Sequence, residues 1–184
     1  MQTGDGGVRV ERDTVTEGKR VADELPTLPL IRPIRAVDRE PIRRLIAETR
    51  MFTDEEVGIA LEIVDIALAH PEQQDYVIYV CEFDAVMGYY CIGPTPATTG
   101  TFDLYWIAID PTVQGRGLGA ALIAHAEQII RERGGRLIVA ETSSQPKYEP
   151  TRGFYLKRGY LQLARIKDYY RGGDDLIIYG KYIH

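Results

Sequence analysis

Cysteine and histidine are scarce in this chain, which limits the cross-links and metal sites it can form. Its 184 residues include two cysteines and three histidines. If 76–83 and 86–92 form a hairpin, Cys81 lies opposite Gly88 rather than Cys91, so we expect no disulfide. Both thiols are then interpreted as small buried apolar groups of a cytoplasmic protein. No His, Cys and carboxylate residues occur together at ligand spacing, so no metal site is predicted.

Long apolar runs and blocks of positive charge are also lacking. No segment approaches the roughly 20 apolar residues of a membrane span, and no N-terminal apolar run suggests a signal peptide. The net charge is −5 and no basic block occurs. We therefore expect neither a nucleic-acid nor a membrane partner. An acidic protein can still attract a substrate that carries an amine.

The sequence divides into a polar leader and a patterned remainder. Residues 1–29 contain ten charged residues of mixed sign and few large apolar side chains, which is typical of a disordered segment. The overall apolar content of 45% is ordinary for a globular protein. We therefore predict a disordered leader over 1–29 and a single domain over 30–184.

Periodicity in the domain predicts a mixed α/β fold. Strands are predicted at 30–35, 76–83, 86–92, 100–109, 136–141, 160–169 and 175–183, and helices at 37–49, 54–70, 117–133 and 150–158. Asp38 is positioned to cap the first helix, and Thr53 with Glu56 predicts a capping box for the second. The order indicates an α/β (α+β) domain with a mixed, mostly antiparallel sheet of about seven strands flanked by about four helices. Only the unit at 100–141 is expected to be parallel.

A glycine-rich turn follows the fourth predicted strand. That strand ends at Asp110-Pro111, and Gln114-Gly-Arg-Gly-Leu-Gly-Ala120 then leads into a helix. Glycines at 115, 117 and 119 leave the backbone open to close approach by a ligand. The free N–H groups of the first helical turn and the helix dipole favour an anion there. The turn therefore predicts a pyrophosphate site.

The residues of this turn allow three interpretations. Gly115-x-Gly117-x-x-Ala120 satisfies a loose dinucleotide-binding pattern, with Glu141 at a tolerable distance. Against it, four residues separate the first glycine from the end of the strand, and the preceding half is not a βαβ series. A second interpretation is a tight strand-to-helix connection without a ligand.

The third interpretation is a resemblance to a known family. Gln114-Gly-Arg-Gly-Leu-Gly119 is similar to the Gln/Arg-x-x-Gly-x-Gly/Ala signature of the GNAT superfamily of N-acetyltransferases. Phe154-Tyr-Leu-Lys-Arg-Gly-Tyr160 resembles its aromatic-Tyr-x-x-x-Gly-aromatic block, and Asp168-Tyr-Tyr170 resembles the start of the C-terminal hairpin in ribosomal-protein-type members. The element order over 30–184 is also similar. The resemblance implies a GNAT-like sheet and acetyl transfer from acetyl-CoA to an amine.

The resemblance implies that acetyl-CoA lies on the glycine turn and on the strand before it. The pyrophosphate would lie on the N–H groups of the turn, and the pantetheine arm would pair with the strand as an added strand does. The residues expected to bind it are Ile107, Ala108, Ile109, Gln114, Gly115, Arg116, Gly117, Leu118, Gly119 and Ala120. For Arg116, contact with a phosphate and full solvation are both open.

Acetyl transfer needs an acid for the departing thiolate and a route for the amine proton. The resemblance implies Tyr155 as the acid, since a phenol is protonated at neutral pH; the alternative is a packed tyrosine. Glu141, expected to end the fifth strand, is the candidate base, alone or through water, and the alternative is a solvated carboxylate. The Glu141-to-Tyr155 interval is a couple of residues longer than in ribosomal-protein-type members, and Tyr148 stands where they carry asparagine. The loop 142–150 is therefore remodelled.

No motif identifies the acceptor. Tyr105 and Glu55 are the candidate substrate-binding residues, although Glu55 also fits a helix-capping role. Trp106 shares strand alternation with Phe102 and Leu104, so it is assigned to the core. We predict acetylation of a small-molecule amine or a peptide N-terminus by direct attack in a ternary complex. A non-catalytic acyl-CoA sensor is the alternative, and a homodimer is left open.

Overall fold

Seven strands and four helices occupy residues 29–183, the part of the chain that the computed structural model describes. The predicted leader lies outside this part except for residue 29. In chain order the elements are β1 (Leu30–Pro33), α1 (Arg39–Thr49), α2 (Asp54–Ala69), β2 (Val77–Glu82), β3 (Val86–Pro94), β4 (Thr101–Ile109), α3 (Leu118–Glu132), β5 (Leu137–Ser143), α4 (Glu149–Lys157), β6 (Leu161–Arg171) and β7 (Asp174–Tyr182). None of these helices is long and apolar enough to cross a membrane.

The strands form one sheet in the order β1-β2-β3-β4-β5-β7-β6. Neighbouring strands are antiparallel except β4 and β5, as the sequence predicts. The parallel pairing is short, because only Thr101–Asp103 of β4 pairs with Leu137–Val139 of β5. Beyond these residues the two strands separate, and the sheet opens in its middle. The predicted fold class is confirmed, and so is the position of its parallel unit.

Helices cover both faces of the sheet. α1 and α2 pack on one face, and α3 and α4 pack on the other. The first core contains the buried side chains Ile42, Leu45, Ile46, Val64, Tyr89 and Cys91. The second core contains Phe102, Leu122, Ile123, Ile130, Tyr155 and Tyr179. Each face of the sheet therefore has its own core, and the opening between β4 and β5 lies between the two.

The predicted side-chain cap is confirmed for α2 but not for α1. The capping box of α2 is confirmed: Thr53 Oγ accepts the N–H of Glu56 at 3.2 Å, and Glu56 accepts the N–H of Thr53 at 2.7 Å. Asp38 precedes α1, but its side chain does not cap that helix. It accepts hydrogen bonds from the buried guanidinium of Arg32 at 2.7 and 2.9 Å, and one from the N–H of Arg35. The capping prediction for Asp38 is wrong because a buried cation engages the carboxylate instead.

The hairpin of β2 and β3 has the predicted register. Cys81 lies opposite Gly88, and Cys91 lies opposite Ile78. Both cysteines are buried free thiols.

A bulge in β4 changes which residues face which core. Cys91 pairs with Trp106 whereas Ile92 pairs with Leu104, so Tyr105 is an extra residue in β4. A bulge reverses the alternation of the residues that follow it. Leu104 accordingly lies in the core beneath α3, whereas Trp106 packs on the side of α1 and α2. The prediction that Trp106 shares a face with Leu104 is wrong for this reason.

Candidate functional site

A cleft opens where β4 and β5 separate. It contains a cavity of about 620 Å³, a size typical of small-molecule sites. Its walls come from the loop between α1 and α2, the second half of β4, the end of β5, the segment leading into α4, and the β6–β7 turn. The predicted site residues that line it are Glu55, Tyr105, Ile107, Ala108, Ile109, Gln114, Glu141 and Tyr155. Residues far apart in the sequence thus meet in one cleft.

The glycine turn forms the N-terminus of α3. Gly115 and Gly117 have φ angles of 78° and 87°, a conformation that side chains disfavour. The first helical hydrogen bond runs from the N–H of Ala121 to the carbonyl of Gly117, at 3.0 Å. Within residues 29–183, the backbone N–H groups from Gly115 to Ala120 donate no hydrogen bond. No acidic residue lies in the first turn, so these donors and the helix dipole favour an anion.

Gly119 differs from the other two glycines of the turn. A Cβ at Gly119 would lie 3.3 Å from the ring of Phe154 on α4 and 3.8 Å from Ile109, whereas a Cβ at Gly115 or Gly117 would meet nothing within 4 Å. Gly119 therefore allows α3 and α4 to approach each other. Arg116 and the other residues of the turn before Leu118 are exposed, and Leu118 itself is buried in the core.

The free edge of β4 faces the cleft. The N–H of Asp110 bonds to the carbonyl of Met87 on β3 at 2.9 Å. By the alternation of an antiparallel ladder, Ala108 also directs its backbone groups to β3, whereas Ile107 and Ile109 direct theirs to the side that β5 has left. The carbonyl of Ile109 is taken by the Gln114 side-chain amide at 3.2 Å. The N–H and carbonyl of Ile107 and the N–H of Ile109 can therefore pair with an extended ligand.

Tyr155 lies between the core and the cleft. The residue is 4% exposed, and its ring stacks on Tyr179 with centroids 5.5 Å apart. The hydroxyls of Tyr89 and Tyr160 are fully buried without a partner, but that of Tyr155 is not enclosed in this way. Since Tyr155 lines the cavity, its accessible part faces the cleft. Burial raises the pKa of Tyr155 above its usual range, so the phenol stays protonated.

Glu141 lies within β5 rather than at its end, because the strand continues to Ser143. In this position it is paired with Ile178 of β7 through the backbone. No hydrogen bond or ion pair occupies its carboxylate within the described part of the chain. Partial desolvation and the neighbouring Asp103 raise the pKa of Glu141. A free carboxylate whose pKa is raised is suited to accept a proton.

Aromatic rings and carboxylates form the side of the cavity near α1 and α2. Tyr105 is 37% exposed and packs against Tyr76, with ring centroids 5.5 Å apart. Trp106, assigned to the core from sequence, also lines the cavity and contacts Phe52 edge-on, with centroids 4.8 Å apart. Glu55 is exposed in the first turn of α2. Negative charge beside aromatic rings suits an organic cation.

Sequence reasoning missed a second group of lining residues. Buried Asp174 accepts hydrogen bonds from Ser143 Oγ and Gln145 Nε2, each at 2.5 Å. Lys147 and Tyr148 both bond to the carbonyl of Met51 across the cleft. From sequence, the segments at about 48–56, 93–100 and 168–174 were expected to form the acceptor pocket, and Tyr148 to lie in a remodelled loop, but no motif revealed these partners. In residues 29–183, no group of three or more His, Cys, Asp or Glu side chains is arranged to hold a metal ion.

Comparison with known proteins identifies the family. The model of the acetyltransferase (GNAT) family matches residues 40–160, so this chain belongs to the GNAT family of acetyltransferases. A crystal structure of a GNAT-family protein from Desulfovibrio desulfuricans is 44% identical, with a TM-score of 0.82 over 85% of this chain and 99% of that one. No curated protein sequence matches.

Two more distant structures share the fold. The ribosomal-protein-S18-alanine N-acetyltransferase of Escherichia coli is 20% identical, with a TM-score of 0.65 over 85% of this chain and 94% of that one. The protein yncA of Salmonella typhimurium, solved with its cofactor acetyl-CoA, is 18% identical, with a TM-score of 0.66 over 85% of this chain and 94% of that one. At these identities the likeness extends to the fold alone.

Proposed function

We propose that this chain is an N-acetyltransferase that takes its acetyl group from acetyl-CoA and transfers it to a primary amine. The observation that carries the proposal is that a free strand edge, a protonated phenol and an unpaired carboxylate line one cleft, which the anion-binding turn adjoins through Gln114. Each part matches one requirement of the reaction.

The donor fits the turn and β4. The N–H groups from Gly115 to Ala120 would hold the pyrophosphate, with Arg116 free to reach a phosphate oxygen. The backbone groups of Ile107 and the N–H of Ile109 would pair with the amides of the pantetheine arm. This arrangement directs the thioester toward Tyr155 and Glu141. Membership of the GNAT family and the acetyl-CoA complex of yncA support the same donor.

The chemistry is a direct attack in a ternary complex. The amine nitrogen forms a bond to the thioester carbonyl carbon, and the C–S bond breaks. Glu141 takes the amine proton, directly or through water, and Tyr155 gives a proton to the departing sulfur. A free N–H of Ile107 or Ile109 would stabilise the oxyanion that develops on the carbonyl. The products are an amide and CoA, and solvent restores the two protonation states.

Replacement of Tyr155 by Phe tests this assignment. We expect turnover to fall by about 100-fold, the usual contribution of a general acid, while the affinity for CoA is nearly unchanged. CoA release with a panel of amines, amino acids and short peptides measures the first, and calorimetry measures the second. Tyr169→Phe is the matched control, because Tyr169 is exposed on β6 and does not line the cavity.

The alternative is a non-catalytic acyl-CoA sensor. A sensor would bind acetyl-CoA but release no CoA with any acceptor, and Tyr155→Phe would have no turnover to lower. If the wild-type protein binds acetyl-CoA tightly and is inert toward the whole panel, the sensor replaces the enzyme as the function of this cleft.

A further inference from the structure

Two side chains connect the segment before α4 to the loop between α1 and α2. Lys147 Nζ donates to the carbonyl oxygen of Met51 at 2.6 Å, and Tyr148 Oη donates to the same oxygen at 2.9 Å. The partners are 96 and 97 residues apart in the sequence. All three residues line the cavity. We call this pair of hydrogen bonds onto Met51 the cleft bridge.

Three features of the surrounding residues favour the two hydrogen bonds of the cleft bridge. Lys147 Nζ lies 4.9 Å from the centroid of the Tyr148 ring, so the two donors also attract each other. Burial, together with Glu56 and Asp174, raises the pKa of Tyr148 to about 12, and the phenol therefore remains a donor at neutral pH. Arg50, which ends α1 in a left-handed conformation with φ of 54°, constrains the backbone immediately before Met51.

The position of the bridge determines how the cleft can be entered. α1 and α2 lie on one face of the sheet, and α4 lies on the other. The cleft bridge therefore joins a segment next to helices on one face to a segment next to a helix on the other, and its three residues line the cavity between them. Phe52, the next residue after Met51, contacts Trp106 edge-on in the same wall.

We propose that Lys147 and Tyr148 are specificity-determining residues that restrict the acceptor to compact small-molecule amines and exclude peptide N-termini. This inference rests on the N-acetyltransferase function proposed above. A peptide requires a groove that continues past its terminal residue, and the bridge spans the opening through which such a chain would extend. The cavity of about 620 Å³ must hold the reacting end of the donor as well as the acceptor. Tyr105, Trp106 and Glu55 supply apolar and anionic contacts for a small ammonium compound.

Selectivity between two acceptor sizes tests the inference. Steady-state kcat/KM is measured by CoA release for phenethylamine, spermidine and amino-acid amides, and for the tetrapeptide Ala-Ala-Ala-Phe and its Ser- and Met-initiated analogues. The wild-type protein should prefer its best small amine to its best peptide by at least about tenfold. In the Lys147→Ala/Tyr148→Phe double variant, that preference should fall by about tenfold, the effect of one or two lost hydrogen bonds.

The Lys167→Ala/Tyr169→Phe double variant is the control, because it removes the same groups from the exposed face of β6 outside the cavity. It should keep the wild-type preference. The inference is overturned if the wild-type protein favours a peptide or acetylates no small amine, or if the bridge variant keeps its selectivity.

Two further measurements distinguish a failure of the inference about the cleft bridge from a failure of the proposed N-acetyltransferase function. Hydrogen exchange should become faster at residues 50–53 and 144–149 in the bridge variant, and unchanged exchange there would show that the two bonds do not hold the loop. Acetyl-CoA affinity by calorimetry should be nearly unchanged in both double variants. If acetyl-CoA does not bind even to the wild-type protein, the N-acetyltransferase proposal fails, whatever the bridge does.

Discussion

The proposed mechanism requires opposite protonation states of two side chains in the cleft at neutral pH. Tyr155 must hold its proton, and its burial raises its pKa. Glu141 must be free of its proton in that mechanism, yet partial desolvation and Asp103 raise its pKa. Asp103 lies on β4 at the last parallel pairing with β5, where Thr95 Oγ donates to it at 2.9 Å. The environment thus makes Glu141 a stronger base than an ordinary glutamate.

The pH dependence of catalysis should reveal the effect of Asp103 on the pKa of Glu141. Since the proposed mechanism uses Glu141 as a carboxylate, kcat/KM should rise as pH rises through its raised pKa. Asp103→Asn removes a negative neighbour and lowers that pKa, so the acidic limb of the profile should move to lower pH. Glu141→Gln should abolish the limb and lower kcat by about 100-fold. A limb that is the same in all three proteins would exclude Glu141 as the base.

Arg32 on β1 forms a buried ion pair with Asp38, the residue before α1. Arg32 is 7% exposed and Asp38 is 2% exposed. Burial alone would raise the pKa of Asp38, but hydrogen bonds from Arg32 and the N–H of Arg35 outweigh it, and the net pKa is lowered. The pair therefore stabilises the fold at neutral pH, and this contribution is lost as pH falls through the folded-state pKa.

Removal of one partner should be costly. Asp38→Ala leaves the buried guanidinium with Glu82 and the carbonyl of Pro33, and we expect the free energy of unfolding to fall by about 3–5 kcal/mol. Urea denaturation at neutral pH measures it. Asp65→Ala breaks the exposed pair with Arg39 and should have a much smaller effect. Equal losses in the two variants would contradict the buried pair's special role.

At the scale of single elements, the N-terminus of α3 is the part most directly tied to the donor. Gly117→Asp would place a carboxylate where the free N–H groups and the helix dipole favour an anion. Gly134→Asp is a matched control, because Gly134 also has a positive φ, 76°, and open space around it, but it follows the C-terminus of the same helix.

We expect Gly117→Asp to weaken CoA binding by at least about tenfold, since like charges would lie within a few ångströms. Gly134→Asp should bind CoA as the wild-type protein does. Calorimetric titration with CoA distinguishes them. Equal affinity in both variants would mean that the glycine turn does not hold the pyrophosphate.

One cap and one strand register could be predicted because their causes are local, whereas Asp38 does not cap α1 and β5 extends past its predicted end. The Thr53–Glu56 capping box and the Cys81–Gly88 register follow from residues close together in the chain. The bulge at Tyr105 could not be predicted, because it exists only in the pairing of β4 with β3. The bulge turns Trp106 to the face of the sheet opposite Leu104, where its ring lines the cavity. Sequence alternation had predicted that the two residues share a face.

At the scale of the whole molecule, the cleft exists because the sheet separates after three paired residues of β4 and β5. The glycine turn before α3 and the position of Tyr155 at the cavity could be predicted from sequence, since both lie in contiguous motifs, and their roles toward the donor belong to the proposed function. The acceptor half could not. Its walls combine segments around residues 51, 105, 148 and 174, and their proximity depends on long-range packing that leaves no local pattern.

A crystal structure with a non-hydrolysable thioether analogue of acetyl-CoA would show how the donor lies in the cleft. We predict the pyrophosphate on the N–H groups of residues 115–120, the pantetheine amides paired with Ile107 and Ile109, and the sulfur within hydrogen-bond distance of Tyr155 Oη. An analogue whose sulfur lies away from Tyr155, or whose pyrophosphate lies away from the glycine turn, would contradict the account.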